Sequence, residues 1–356
     1  MTRTAEDIWL AFTPRDTVFI RDGRTFDAGA AAQAQTVRPA PMTIAGATGA
    51  AFGTEPTEVR GPVLALRLDS EWECYFPLPL DLVSQAHVDE PDVYRLTPKP
   101  AGAARTDLAA AGQSWLLAPE DIGPTTDITG WLPARQLVDY LAGTLPAIDG
   151  TPQADLGLAN PLHPEPRIGL AREPDRSVKS GFLYQATHLR PEPDWAFVAG
   201  CVLPTGWDRQ AVGPVPFGGR GRLADVETVS GVALPAAPSS FPGGRVLVYL
   251  ATPAIWPDGW RLPVPDGARL VAAATGELQP VATTTPGRRW KTDRALRWAV
   301  PAGSVYLLQF DHEDCAARWA CEVHGTAYGR AKNDRLRTAG FGLVLTGKWT
   351  RELKWT

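Results

Sequence analysis

The stretch Ala339-Gly340-Phe341-Gly342-Leu343-Val344-Leu345-Thr346-Gly347-Lys348-Trp349 organises the rest of the chain. Its apolar run Leu343–Leu345 is typical of a buried strand, so the first two glycines lie where a loop enters a sheet. Glycine has no Cβ, which permits positive φ and the close approach of another backbone. Four basic residues precede the stretch: Arg330, Lys332, Arg335 and Arg337. The pattern fits either a tight turn before a strand or a loop that holds a phosphate backbone.

Composition indicates a globular protein of two domains. The chain has 356 residues, of which 44% are hydrophobic and 21% charged, and this balance excludes a disordered chain. No apolar run approaches the ~20 residues that span a bilayer, so no membrane association is expected. Four cysteines are too few for a disulfide scaffold, and they favour a reducing, cytoplasmic setting.

The two halves of the chain differ in charge. Residues 1–160 contain 11 Lys and Arg against 21 Asp and Glu, whereas residues 161–356 contain 24 against 18. A basic surface attracts nucleic acid and an acidic one repels it. We therefore expect the second half to face nucleic acid and the first half to face protein.

The first half has the pattern of a split β-α-β unit. A strand is expected from Asp16 towards Arg24, then a helix with Thr43 as N-cap and Gly53 at its end. A hairpin is expected from residues 63–68 and 72–76. An irregular or helical insertion occupies about 84–145, and a proline-rich linker follows it.

The second half repeats this plan. It has a strand at Arg245–Leu250, a turn into a strand ending near Leu308, a helix over about 313–323 and the closing glycine-rich strand. A further hairpin is expected from residues 181–190 and 195–203. The prediction is an α+β fold with two ferredoxin-like (RRM-like) β-α-β domains in tandem, with inserted loops and hairpins. The predicted domains are residues 1–160 and 161–356.

Two cofactor patterns are present only superficially. Gly46, Gly49 and Gly53 imitate a dinucleotide fingerprint, but Pro39 and Pro41 would break the strand that must precede it. His312, Cys315, Cys321 and His324 have zinc-like residue types. A helix over 313–323 would scatter these four around its axis, so we predict no metal and no other cofactor.

Several short motifs in order resemble one known family. They are Asp16–Phe26 with its Arg-Asp-Gly-Arg, Pro41–Ala47, Gly61-Pro62, Tyr75–Asp81, Arg167–Gly169, Gly181–Tyr184, Phe217–Gly219, Pro301–Tyr306 and Gly340–Gly342. This series resembles the third-subunit family of the Cmr complex, the RNA-guided effector of type III-B CRISPR systems, within the RAMP superfamily. At Arg220 the chain departs from that family, which often has an acidic residue there.

The resemblance implies a non-catalytic, RNA-binding scaffold subunit in antiviral interference. Its expected partners are the 5′ repeat-derived tag of the crRNA, the large cyclase-type subunit and the first backbone RAMP subunit. The expected RNA-binding residues lie in the motifs and in nearby basic loops: Arg21, Arg24, Thr43, Gly46, Arg167, Lys179, Arg190, Gly218, Gly219, Arg222, Lys291, Arg294, Gly340, Phe341 and Gly342. Phe341 fits two roles, stacking on a base or filling the core under the last strand.

An enzymatic alternative stays open, because some RAMP relatives are metal-independent endoribonucleases that process CRISPR RNA. Such cleavage needs a general base with a pKa near neutrality, most often histidine. The five histidines are His87, His163, His188, His312 and His324, and none lies on the first predicted helix or the loop before it. We therefore predict no catalytic residue.

Overall fold

The computed structural model describes residues 8–20, 33–34, 38–102, 115–119, 123–144, 151–207, 210–284, 294–332 and 334–349. Within these ranges no helix combines the length and apolar character needed to cross a membrane.

The first part of the chain contains two helices and sixteen strands among its described residues. In order they are β1 (Ile8–Pro14), β2 (Gln33–Ala34), α1 (Pro41–Phe52), β3 (Glu58–Leu68), β4 (Glu71–Pro77), β5 (Leu82–Gln85), β6 (Asp92–Arg95), β7 (Thr97–Pro100), β8 (Trp115–Ala118), β9 (Thr125–Asp127), β10 (Trp131–Pro133), α2 (Ala134–Leu141), β11 (Thr151–Pro152), β12 (Leu162–Arg172), β13 (Val178–Pro191), β14 (Trp195–Val202), β15 (Val215–Pro216) and β16 (Leu223–Val229).

The second part contains the remaining described elements. They are β17 (Arg245–Leu250), β18 (Ala268–Ala274), β19 (Gln279–Thr284), β20 (Arg294–Ala299), β21 (Val305–Phe310), α3 (Glu313–Val323), β22 (Thr326–Ala327), α4 (Arg335–Thr338) and β23 (Leu343–Lys348). Short 3₁₀ turns lie at Gln153–Leu156 and Pro242–Gly244.

The first large sheet has the order β10-β4-β3-β14-β1-β16-β15. Strand β1 pairs antiparallel with both β14 and β16. Its residues alternate between two cores, because successive side chains of a strand point to opposite faces. Leu10 and Phe12 pack with Ile44 of α1, whereas Ala11 faces a second core.

The second large sheet has the order β18-β21-β17-β23-β22. Val246 and Val248 of β17 pack on one face with Ala316 of α3. Leu247 and Tyr249 point the other way, into the same core as Ala11 of the first sheet. The two sheets therefore share a core, in which α2 also packs against β4 and β23. Helix α1 covers the outer side of the first sheet and α3 the outer side of the second.

The α+β class is confirmed, with mostly antiparallel sheets and few helices. Both sheets contain four strands in the order of a split β-α-β unit, β3-β14-β1-β16 and β18-β21-β17-β23. Each retains one crossover helix, α1 in the first and α3 in the second.

The tandem ferredoxin-like arrangement, with domains 1–160 and 161–356, stays a prediction. Strands from both sides of residue 160 pair in the first sheet.

Three local predictions were wrong. The first strand is Ile8–Pro14 rather than a segment from Asp16, where Val18 forms only an isolated bridge to Leu189. The expected hairpin of 181–190 with 195–203 does not form, because β13 pairs with β12 and β14 enters the large sheet. Helix α1 begins at Pro41 with Ala40 as N-cap, since proline is well suited to the first helical position.

The glycine-rich stretch joins the two halves of the chain. A Cβ on Gly340, whose φ is +100°, would lie 2.8 Å from the carbonyl oxygen of Val59. A Cβ on Gly347 would lie 2.8 Å from the carbonyl oxygen of Leu141. The backbone that approaches these glycines is thus the first half of the same protein.

We expect Gly340→Ala to destabilise the protein by roughly 2–4 kcal/mol, from left-handed strain and overlap with Val59. Gly46→Ala is the matched control. Gly46 lies in α1 with nothing within 4 Å of its Cβ position, so alanine should stabilise by about 0.5–1 kcal/mol. Thermal unfolding of both variants checks this, and an unchanged melting temperature for Gly340→Ala would contradict the packing.

Candidate nucleic-acid interface

Three arginines converge on the carboxylate of Asp16. Arg167 and Arg190 donate to it at 3.3 and 3.1 Å, and Arg222 also donates to it. Arg167 and Arg190 come from β12 and β13, and both also bind Glu165. Three guanidinium groups thus face two carboxylates, which leaves this arginine cluster with a net positive charge.

The cluster fixes the ionisation of its carboxylates. Desolvation raises the pKa of Asp16, but the charges of Arg167 and Arg222 and the hydrogen bonds from Arg190 and Arg167 outweigh it and hold this pKa below its ordinary value. Hydrogen bonds from Arg190 and Arg167 lower the pKa of Glu165. The arginines remain partly accessible, at 34%, 48% and 21% for Arg167, Arg190 and Arg222. Because hydrogen bonds already hold these arginine side chains in place, an anionic polymer could bind them with little further loss of side-chain entropy.

An aromatic pair backs the cluster. The rings of Phe19 and His188 stack with centroids 4.6 Å apart, and a 2.8 Å hydrogen bond joins His188 Nδ1 to Thr17 Oγ1. The Gly219 N–H donates to the Phe19 carbonyl at 2.7 Å, and a Cβ on Gly218 would lie 2.8 Å from that same oxygen. Gly218 therefore lies against Phe19, beside the arginines, because a side chain at this position would overlap the Phe19 carbonyl.

The structure brings five predicted RNA-binding residues to this place: Arg167, Arg190, Gly218, Gly219 and Arg222. Thr43 and Gly46 lie apart from them, on α1. Lys179 lies in the distal part of β13. Arg21, Arg24 and Lys291, together with the side chain of Arg294, lie outside the described residues.

Gly340, Phe341 and Gly342 form a packed turn. Phe341 is 1% exposed and packs with Ile255, Ala299 and Leu336. A Cβ on Gly342 would lie 3.0 Å from the carbonyl oxygen of Tyr328. Of the two roles weighed for Phe341, this placement supports core packing, since a buried ring offers no face to a base.

A cavity of about 540 Å³ opens between the two halves of the chain. Its wall contains Arg38, whose guanidinium carbon lies 4.4 Å from the centroid of the Trp131 ring. The side chain of Arg38 keeps an exposed surface, and desolvation by the surrounding protein lowers its pKa. Arg38 was not among the residues predicted from the sequence, although it is the only Lys or Arg between Arg24 and Arg60.

The zinc-like residues are arranged around α3. His312 is the N-cap and His324 the C-cap of this helix, and His324 hydrogen-bonds Thr346 and the Pro235 carbonyl. No group of three or more His, Cys, Asp or Glu among the described residues could hold a metal ion.

Comparison with known families decides the identity. A family model described as CRISPR-associated protein (Cas_Cmr3) matches residues 10–349. The chain belongs to the Cas_Cmr3 family. This confirms the resemblance to the third subunit of the type III-B Cmr complex and makes the chain a subunit of a CRISPR effector of that type.

Two solved structures are among those similar to this Cas_Cmr3 chain. One is a cryo-EM structure of the type III-B Cmr-beta complex bound to cognate target RNA and AMPPnP, state 1. A chain in it is 16% identical with a TM-score of 0.47. The other is Cmr-beta bound to cognate target RNA, at 15% identity and a TM-score of 0.48. Each match covers 84% of this chain and 86% of the other. No curated protein gave a significant match.

Two histidines, the buried His188 and the partly buried His324, should make stability depend on pH. Burial lowers the pKa of His188 and of His324 below the ordinary 6.5. The unfolded chain therefore takes up protons more readily, so stability is complete above pH 6.5 and is lost as pH falls through the folded pKa values. We expect the melting temperature to fall between pH 6.5 and 5. The double variant His188→Gln/His324→Gln should flatten this slope, whereas His312→Gln, at an exposed position, serves as the matched control. Equal slopes in parent and double variant would contradict the assignment.

Proposed function

We propose that this Cas_Cmr3 protein is a non-catalytic scaffold subunit of the RAMP superfamily that holds the 5′ tag of the crRNA. In this role it joins the large subunit to the first backbone subunit during antiviral RNA-guided interference. The observation that carries the RNA-binding part is the arginine cluster around Asp16. Aligned arginines beside exposed main chain are suited to phosphates, which they bind in bidentate fashion.

The non-catalytic part is supported by the surroundings of the histidines. His188, the histidine closest to the arginine cluster, is only 3% exposed and is occupied by Thr17 and Phe19. The positive charges of Arg167 and Arg222 add to burial in lowering its pKa. His163 pairs with Glu192 on the surface. A general base for RNA cleavage needs access to the 2′-hydroxyl, which a buried His188 lacks.

A ribbon formed by β12 and β13 supports a protein-binding role. Residues Glu165, Arg167 and His188 share the face that packs towards Asp16. Along β12, the alternate positions Ile168 and Leu170 are 74% and 42% exposed. This reverses the usual order, in which the apolar face is covered and the charged face meets water. We propose that another Cmr subunit covers this apolar row.

The RNA proposal predicts a charge-dependent affinity. Changing Arg167, Arg190 and Arg222 together to alanine should weaken binding of a single-stranded tag RNA. It should also reduce the slope of log affinity against log salt by about 2, at ~0.7 per lost phosphate contact. Arg318→Ala, at an exposed position of α3, is the control and should change neither quantity. Fluorescence anisotropy at several salt concentrations measures both.

Asp16→Ala separates this proposal from nonspecific attraction. It removes the carboxylate that competes with phosphate, so it should strengthen RNA binding if the cluster is the site. Unchanged affinity in both the triple variant and Asp16→Ala would sink the proposal. Conversion of repeat RNA into discrete products by the purified chain, abolished by a histidine substitution, would favour the endoribonuclease instead.

The protein-binding proposal predicts that Ile168→Asp prevents assembly without unfolding the chain. A buried contact of this kind is typically worth 2 kcal/mol or more, about 30-fold in affinity. Leu296→Asp is the matched control, because Leu296 is, like Ile168, an exposed aliphatic residue of a hairpin, at 56%. Copurification with the large and first backbone subunits is the readout. Full assembly of Ile168→Asp would show that the row is an ordinary surface.

A further inference from the structure

Arg220 has a backbone conformation that its residue type disfavours. It lies in the turn between β15 and β16 with a φ of +58°, in the left-handed region that glycine adopts more readily. The turn is closed by the Phe217 N–H, which donates to the Arg222 carbonyl at 2.8 Å. It is tied to the rest of the protein by the Gly219 N–H, which donates to the Phe19 carbonyl at 2.7 Å. A strained arginine in a fixed turn directs attention to its side chain.

The side chain of Arg220 lies over an aromatic ring. Its guanidinium carbon is 5.5 Å from the centroid of the Phe19 ring. Phe19 is only 4% exposed and stacks on His188, so the ring under the cation is itself held in place. Arg220 is exposed, so the side of the guanidinium away from Phe19 faces solvent. The cation is thus supported from below by the ring and open above.

This stack lies beside the arginine cluster and on the side of the chain away from the cavity. Val18 bridges Leu189, and both pack in the core with α1. Because successive side chains of an extended segment alternate, their neighbours Phe19 and His188 point to the opposite side. Arg190 of the cluster follows His188 by two positions in β13 and shares that side. Burial, together with arginine charges that include Arg220, lowers the pKa of His188, so this ring stays neutral near the cations.

We propose that Arg220 is a stacking platform for one nucleobase of a single-stranded RNA. The inference rests on the proposed function, in which the arginine cluster holds the phosphates of that strand. Guanidinium planes stack on unpaired bases in RNA recognition, and every base offers a flat face. Purines offer a larger face than pyrimidines, so the platform favours adenine or guanine without reading a sequence. The net positive charge of the adjacent cluster favours a polyanion over an aromatic side chain of a partner protein.

The test measures binding of oligoadenylate and oligouridylate of equal length to the full-length chain by fluorescence anisotropy. Arg220→Lys keeps the charge and removes the plane. Affinity for oligoadenylate should therefore fall roughly 5- to 100-fold, with an unchanged slope of log affinity against log salt. The loss for oligouridylate should be smaller. Arg318→Lys, the same change at an exposed position of α3, should bind both RNAs as the parent does.

A second variant tests the flat face directly. Arg220→Trp restores a plane without the charge and should recover most of the preference for oligoadenylate. Because Arg220 is exposed, both variants should melt at the temperature of the parent. If lysine disturbs the turn, the tryptophan variant alone decides, and loss of the oligoadenylate preference in it would overturn the platform.

The outcomes separate this inference from the proposed function. Affinity that is lost in the triple variant of Arg167, Arg190 and Arg222 but retained in Arg220→Lys overturns the platform and leaves the function standing. The reverse result supports the platform and contradicts the arginine cluster. Parent-like RNA affinity in Arg220→Lys, together with failed copurification with the other Cmr subunits, would assign Arg220 to a protein contact and also overturn the proposal.

Discussion

The close approach of the two halves of the chain is the constraint on which the rest of the structure depends. Helix α2 packs in the core that the two large sheets share and contacts both β4 and β23, so backbone from one half comes within van der Waals distance of backbone from the other. Glycine makes this possible at Gly340, Gly347 and Gly303, where an added Cβ would lie 2.7–2.8 Å from carbonyl oxygens of Val59, Leu141 and Leu78. The Tyr249 hydroxyl crosses the same boundary to donate to the Pro77 carbonyl at 2.5 Å. Burial raises the pKa of Tyr249, so the proton needed for that bond is retained.

The candidate sites also combine distant parts of the chain. The cavity with Arg38 has walls from both halves. The arginine cluster is assembled differently, from the end of β1, the ribbon of β12 and β13 and the Gly218-Gly219 turn. Neither site belongs to one continuous segment. Each depends on elements that are distant in sequence and close in the fold.

Local signals in the sequence predicted several elements correctly. The hairpin of β3 and β4 follows from alternation around Asp69-Ser70, and β23 follows from its apolar run. Helix α3 and its two terminal histidines could be placed from spacing. The pairing of strands that are far apart in the sequence could not be predicted in this way. Nothing in Trp195–Val202 shows that it lies between β1 and β3, since its neighbour in sequence, β13, offered an equally good partner.

The same limit applied to the site. Asp16 begins one of the family motifs, but nothing in the sequence shows that its carboxylate gathers Arg167, Arg190 and Arg222. From the sequence alone, Gly340 and Gly342 are compatible with the close approach of either an RNA backbone or a protein backbone. The carbonyl of Val59 beside Gly340 shows that the protein's own backbone lies against this glycine in the folded chain.

The insertion inside the first sheet has a consequence for synthesis on the ribosome. Strand β14 completes the sheet between β1 and β3, yet it begins at Trp195, long after β3 ends at Leu68. At ~5–20 residues per second, translation takes roughly 6–25 s to cover that interval. During this time β1 and β3 each lack their central partner, and their unpaired edges are open to wrong pairing. Translation speed across the insertion, and chaperones that cover strand edges, should therefore govern the yield of correctly folded protein.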